Sequence, residues 1–200
     1  MIIKNLPKKY IKLWNKCVLL LKVGRPGDLA HAAETVKLIL NYDGNIKINE
    51  EILIPVAMMH DIGHVAILPK HFKYVTGPEK IANSKLAHML AGAKIANDIL
   101  IALHYDKKEI DKIVEIISIH DFDQLKNVDI EKAYNTVDKK FFHDIDSLDR
   151  YTVKRLKNVS SIYKDKQQVL GLLENMLSLF FYDEFRQNAK KGLDDLKIVL

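Results

Sequence analysis

Apolar side chains near the start of the chain recur at Tyr10, Leu13, Trp14, Cys17, Val18 and Leu21. That spacing predicts a helix with one apolar face, opening at Pro7-Lys8 and running through Val23. Gly24-Arg25-Pro26-Gly27 breaks it, and Asp28 is placed to cap a second helix that runs to about Tyr42 with Leu29, Ala33, Val36, Ile39 and Leu40 inward. Asp43-Gly44-Asn45 is a turn signal, after which Asn49 caps a third helix. From Ile52 to Met59 that helix has no polar face, which marks it as buried. It runs into Met58-Met59-His60-Asp61-Ile62-Gly63-His64, where Gly63 reads as the helix end and His64 as a turn residue.

The stretch from Ala66 to Pro78 reads as a loop, and Pro78 suits the first position of a long helix carrying Ile81, Leu86, His88, Met89, Gly92, Ile95, Ala96, Ile99 and Leu100. Asp106 starts another, with Ile110, Ile113, Val114, Ile117 and His120. A loop from Asp121 to Val128, a short helix and a linker lead to Asp138. A further helix is expected from Phe141 to about Val159, then one or two amphipathic helices from Gln167 to Leu200 with a polar break near Gln187. No stretch alternates with period two. The expectation is an all-α chain: a single helical-bundle domain over residues 1–160, with a C-terminal helical extension, 161–200, packed on the same domain. In that extension Val169, Leu172, Leu173, Met176, Leu177 and Phe180 form an apolar stripe. It is read as packing on the core, with a homodimer contact as the alternative.

Composition narrows the class of partner. The chain is 48% hydrophobic and 28% charged, ordinary for a globular protein. Its net charge of +5 comes from scattered lysines rather than a dense basic stripe, so there is no strong nucleic-acid signal. A mild positive field favours anionic small molecules. Cys17 is the only cysteine, which excludes an internal disulfide and a thiolate zinc site and fits a reducing cytoplasm. The apolar run Cys17–Leu21 is too short to span a bilayer, and no signal peptide is read, so the chain is expected to be cytoplasmic and not membrane-bound.

The chemistry concentrates in histidines and carboxylates. Seven of the 8 histidines lie between His60 and His143. A buried charge is costly unless paired or metal-bound. His60 and Asp61 diverge by about 100° on a helix, so they converge on one ion only in a cleft between helices. His31, His60, Asp61 and Asp146 would make a sulfur-free site of imidazoles and carboxylates, suited to Mn, Fe, Co, Ni, Zn or Mg with open positions for water and substrate. Asp144 and Asp149 compete with Asp146 for the last place. His88 and His120 are candidates for a second metal or a substrate contact, so one ion is expected and two are allowed. His71, His104 and His143 read as surface or structural.

His31, His60-Asp61 and Asp146 are similar to the H…HD…D signature of the HD superfamily of metal-dependent phosphohydrolases. Gly24-Arg25-Pro26-Gly27-Asp28-Leu29-Ala30-His31 resembles the approach to that family's first ligand helix. His60-Asp61-Ile62-Gly63-His64 resembles its core motif, and Asp144-Ile145-Asp146-Ser147-Leu148-Asp149-Arg150 its late D-A-D-R-L-D segment. The resemblance covers roughly residues 25–155. It implies hydrolysis of a phosphomonoester or phosphodiester, of a nucleotide or related metabolite, by metal-activated water. Asp61 and His64 are then the catalytic candidates, His64 as general acid or base or as a phosphate ligand. Arg25, Lys70 and Arg150 are candidate phosphate contacts. His88 and His120-Asp121 resemble a two-metal subset that includes the HD-GYP phosphodiesterases. The second adjacent histidine and the glycine-tyrosine-proline segment are absent after His120, which argues against cyclic di-GMP hydrolysis. Two other readings compete: a non-catalytic sensing or interaction module on the same scaffold, and a di-iron oxygenase.

Overall fold

The run from Ile52 to Met59 needs burial on every side, and the rest of its neighbourhood is arranged to supply it. In a computed structural model, which describes residues 2–67, 77–155 and 166–199, it lies in helix α3 (Glu50–Met59), every residue from Ile52 onward buried. Asn49 caps α3 as expected, its side chain accepting from Glu51 N at 3.1 Å. Around α3 pack α1 (Ile11–Val23), α2 (Asp28–Leu40) and α5 (Lys107–Ile119). The long α4 (Gly77–Ala102) packs on α5 and on a 3₁₀ turn, Ile62–Ala66, that follows α3. Asp106 caps α5 through Lys108 N at 2.8 Å. The short α6 is Ile130–Ala133. Among the described residues there is no strand, so the chain is all-α.

The structure divides into two compact units, one ending at Lys139 and one beginning at Lys140. The expected boundary at 160/161 falls in 156–165, outside the described residues. The second unit takes up the chain within α7 (Val137–Leu148), continues through a 3₁₀ turn Asp149–Tyr151, and adds α8 (Lys166–Met176) and α9 (Asp183–Val199). Tyr151 donates to Leu173 O at 2.9 Å and lies against Gly192, where an added Cβ would meet Tyr151 O at 2.6 Å. Among the described residues no helix is long and apolar enough to cross a membrane.

Four local expectations are corrected. Asp28 does not cap α2; Gly27 does, in the left-handed conformation (φ 98°), which glycine adopts without strain. Gly63 does not end a helix either, since α3 stops at Met59 and Gly63 sits inside the following 3₁₀ turn. Helix α7 begins at Val137, ahead of Phe141, and ends at Leu148 rather than near Val159. The C-terminal break lies at Leu177–Tyr182, while Gln187 is inside α9. That break is fixed by a distant residue: the buried Asp144 carboxylate accepts Phe181 N at 3.1 Å and Tyr182 N at 2.8 Å just before α9 starts. No local pattern could have revealed it.

Candidate active site

The end of α3 brings His60 and Asp61 to the floor of the site. His60 still closes a helical hydrogen bond to Val56 O at 2.8 Å, whereas Asp61 (φ −95°, ψ 0°) already belongs to the turn. His31 comes from the first turns of α2, His88 from the middle of α4 and His120 from the residue after α5. All five are buried, at 7% exposure or less. One ligand atom from each of His31, His60 and Asp61 lies within 4.8 Å of the others, and the same holds for Asp61, His88 and His120.

Asp61 is common to both groups, and its two oxygens face different ways. Oδ2 is 3.5 Å from His60 Nε2, while Oδ1 is 3.8 Å from the Nε2 of both His88 and His120 and 3.4 Å from that of His64. The His31 and His60 rings meet edge to face at 5.0 Å, and His64 stacks on His88 at 4.3 Å.

The imidazoles are set up as ligands. His60 Nδ1 is 3.1 Å from Ala57 O and His120 Nδ1 is 2.8 Å from Ile117 O. A carbonyl only accepts, so each Nδ1 carries the proton and each Nε2 presents its lone pair to the cluster. His88 Nδ1 faces Ser84 O at 3.4 Å in the same sense. His88 Nε2 then lies 3.1 Å from His120 Nε2, two lone pairs at the separation of neighbouring ligands on one ion with bonds of about 2.1 Å. Burial, and then His120 beside it, pull the His88 pKa down to about 3, so the ring is neutral near pH 7, as a metal ligand must be. The donor set therefore fits a divalent cation on two sides of Asp61.

Burial alone would raise the pKa of Asp61. The Arg25 guanidinium foremost, followed by the surrounding histidines, outweighs burial and holds the carboxyl well below the usual range. Arg25 reaches Asp61 Oδ2 through Nη2 at 2.9 Å and Asp28 Oδ1 through Nε at 2.8 Å. Asp28 is raised, by burial first and then by Asp61. On the far side Lys85 Nζ is 2.7 Å from Asp121 Oδ2, which is 3.6 Å from His88 Nε2.

Beside the cluster opens a cavity of about 490 Å³ lined by Val23, Gly24, Arg25, His64, Val65, Ile67, Lys80, Ser84 and Lys85. His64 stands between the two, its side chain 12% exposed.

With this geometry in place, comparison with known proteins adds the family. The HD domain family model matches residues 28–151, well over half of the chain's 200 residues. The chain belongs to the HD domain family. No curated protein and no solved structure matches it. Membership places the chain in a superfamily of metal-dependent phosphohydrolases whose HD domains bind divalent metals.

Of the residues expected from the sequence, the HD domain's first unit gathers His31, His60, Asp61, His64, His88, His120 and Arg25. Lys70 and His71 lie in 68–76, outside the described residues. In the second unit Asp146 is a buried residue of α7, and Arg150 lies in the turn Asp149–Tyr151. Asp144, the first competitor of Asp146, spends its oxygens on Phe181 N, Tyr182 N and His143 Nδ1, the last at 2.8 Å. Asp149 faces Arg155 Nε at 3.7 Å and Thr152 Oγ1 at 3.5 Å. His143 is buried with its Nδ1 on Asp144, and His104 is an exposed turn residue in the left-handed region (φ 61°).

Four participants were not anticipated: Lys80, Ser84, Lys85 and Tyr134. A signal existed for Lys80 and Ser84, which with His88 repeat every four residues along α4 and share a face. The Tyr134 hydroxyl donates to Ile119 O at 2.8 Å and His120 O at 3.1 Å, fixing the end of α5 that carries His120. Tyr134→Phe is expected to cost about 1 kcal/mol of stability in urea denaturation and to weaken metal binding through His120, because the one hydroxyl proton shared between the Ile119 and His120 carbonyls is lost.

Proposed function

We propose that this HD domain is a phosphohydrolase acting on a phosphomonoester or phosphodiester, of a nucleotide or related metabolite. The observation that carries the reading is Asp61, shared between two buried imidazole groups at the edge of a cation-lined cavity. His31, His60 and Asp61 would hold one divalent ion, and Asp61, His88 and His120 are the set for a second. The family resemblance assigns Asp146 as a further ligand, and the loss of bound metal from Asp146→Ala would test it.

A divalent ion so held supplies an acidified water and charge neutralisation at the phosphoryl oxygens. The chain's own groups do the remainder. Arg25, fixed by Asp28 on one side, aims its second nitrogen along the Asp61 edge, where a phosphoryl oxygen can take a charge-assisted hydrogen bond. His64 Nε2, between Asp61 and the cavity, is placed to pass a proton to or from the reacting oxygens. Met59 and Ile62, the apolar residues on either side of the His60–Asp61 pair in the chain, are fully buried and hold the pair on the core.

The test is turnover of a panel of phosphate esters by metal-loaded and chelator-treated protein. Hydrolysis of at least one ester, abolished by chelation and restored by a divalent cation, is the expected result. A metal-loaded protein that hydrolyses none would leave the non-catalytic module in its place, and dioxygen uptake by an iron-loaded sample would point to the oxygenase.

A further inference from the structure

The cavity beside the cluster is larger than a single phosphoryl group requires. At about 490 Å³ it lies in the range of whole small-molecule sites, roughly 300–1,000 Å³. Its polar lining is cationic: Arg25, Lys80 and Lys85, with Ser84 and His64 as further hydrogen-bonding groups. Among the described residues that line it there is no carboxylate.

The three cations are not equivalent. Arg25 is committed to Asp28 and Asp61, and Lys85 to Asp121. Lys80 is exposed and has no acidic partner among the described residues. Its position is set by α4. Lys80, Ser84 and His88 succeed one another at four-residue intervals on one helix face, about 6 Å apart along the axis. His88 belongs to the imidazole cluster, Ser84 comes one turn outward, and Lys80 one turn further, with Lys85 beside Ser84. Lys85 is two short contacts from the cluster, through Asp121 to His88. A row of donors therefore leads from the reacting centre into the cavity, ending on an ammonium with no counter-charge among the described residues.

We propose that Lys80 and Lys85, with Ser84 between them, form a subsite for a second phosphoryl group, so that the preferred substrate is an organic diphosphate or triphosphate rather than a simple monoester. The assignment rests on the phosphohydrolase reading of the adjoining cluster. One phosphoryl group lies at the cluster against Arg25 and His64, and its neighbour takes hydrogen bonds from Ser84 Oγ, Lys85 Nζ and Lys80 Nζ. The organic remainder then faces Val23, Val65 and Ile67.

Calorimetric titration of the purified, metal-containing protein with inorganic phosphate and with pyrophosphate tests this, with metal content checked before and after. Pyrophosphate is expected to bind about tenfold more tightly or better, since it adds charge-assisted contacts that phosphate cannot make. In Lys80→Ala the preference should shrink to roughly threefold or less, and Lys80→Arg should restore it. The substituted side chain is exposed and on a helix, where alanine is well tolerated, so the variant folds. Equal affinity for the two anions in the wild type, or a preference that survives Lys80→Ala unchanged, would overturn the subsite. The two readings fail separately. Ester hydrolysis without pyrophosphate preference removes the subsite and keeps the hydrolase, while a Lys80-dependent preference without hydrolysis of any ester does the reverse.

Discussion

Asp61→Ala should lose its bound metal and at least about a thousandfold in kcat/KM on any phosphate ester the wild type hydrolyses, a barrier increase of about 4 kcal/mol. The size follows from how much depends on one carboxylate. Its Oδ2 faces His60 and Arg25, its Oδ1 faces His64, His88 and His120, and the two imidazole ligand sets both include it, as does the Asp28–Asp61–His64 group. Removing it takes the only carboxylate from each of those two sets and leaves neutral imidazoles alone to bind a dication. Asp61→Asn should fail nearly as badly, because the amide keeps the volume but not the charge. The fold should survive both, since Arg25 retains Asp28 and its side chain is 39% exposed. Elemental analysis, steady-state kinetics and circular dichroism on the same preparations check the three parts. Wild-type turnover in Asp61→Ala with metal still bound would refute the assignment of the centre.

Gly63→Ala is the substitution expected to damage the fold most. A Cβ built at Gly63 would stand 1.9 Å from the backbone oxygen of His88 and 2.5 Å from Gly92 N. Both obstacles are backbone atoms of α4, so no side-chain rotation relieves them, and α4 must move bodily. The cost should be about 3 kcal/mol or more, near the upper end for overpacking, and on the order of 10 °C in Tm. Because α4 carries His88, metal binding should fall as well. Gly171→Ala is the matching control. Nothing lies within 4 Å of that Cβ and the site is inside α8, so the change should stabilise by about 0.5–1 kcal/mol. Denaturant melts of the two variants side by side separate close packing from a general glycine effect. A Gly63→Ala variant that melts like the wild type would refute the close contact between the turn and α4.

Much of the fold could be read from periodicity. Helix α3 was legible because a helix with no polar face has only one stable environment, and α1, α2, α4 and α5 because their apolar positions repeat every three to four residues. Helix ends were harder. Asn49 and Asp106 cap through their own neighbours and were readable, but the start of α9 depends on Asp144, distant in sequence, and the cap of α2 on the conformation of Gly27. Glycine Gly63 was misread for a related reason: its small size answers to the backbone of α4, not to the end of α3.

For the site, the residue types and their order along the chain singled out His31, His60, Asp61, His64, His88 and His120, because a buried carboxylate needs a positive partner and neutral imidazoles beside it offer lone pairs to the same cation. Arg25 was legible only as a cation near the motif, and nothing in the sequence pattern set Lys80 and Lys85 apart from the other scattered lysines. What sequence order could not supply was distance and direction. The turn after α3 points the two oxygens of Asp61 at different imidazoles, and the pitch of α4 carries Lys80 and Ser84 in line with His88. Residue chemistry is local and can be read one letter at a time, whereas the sharing of one carboxylate by several helices is fixed only when those helices pack.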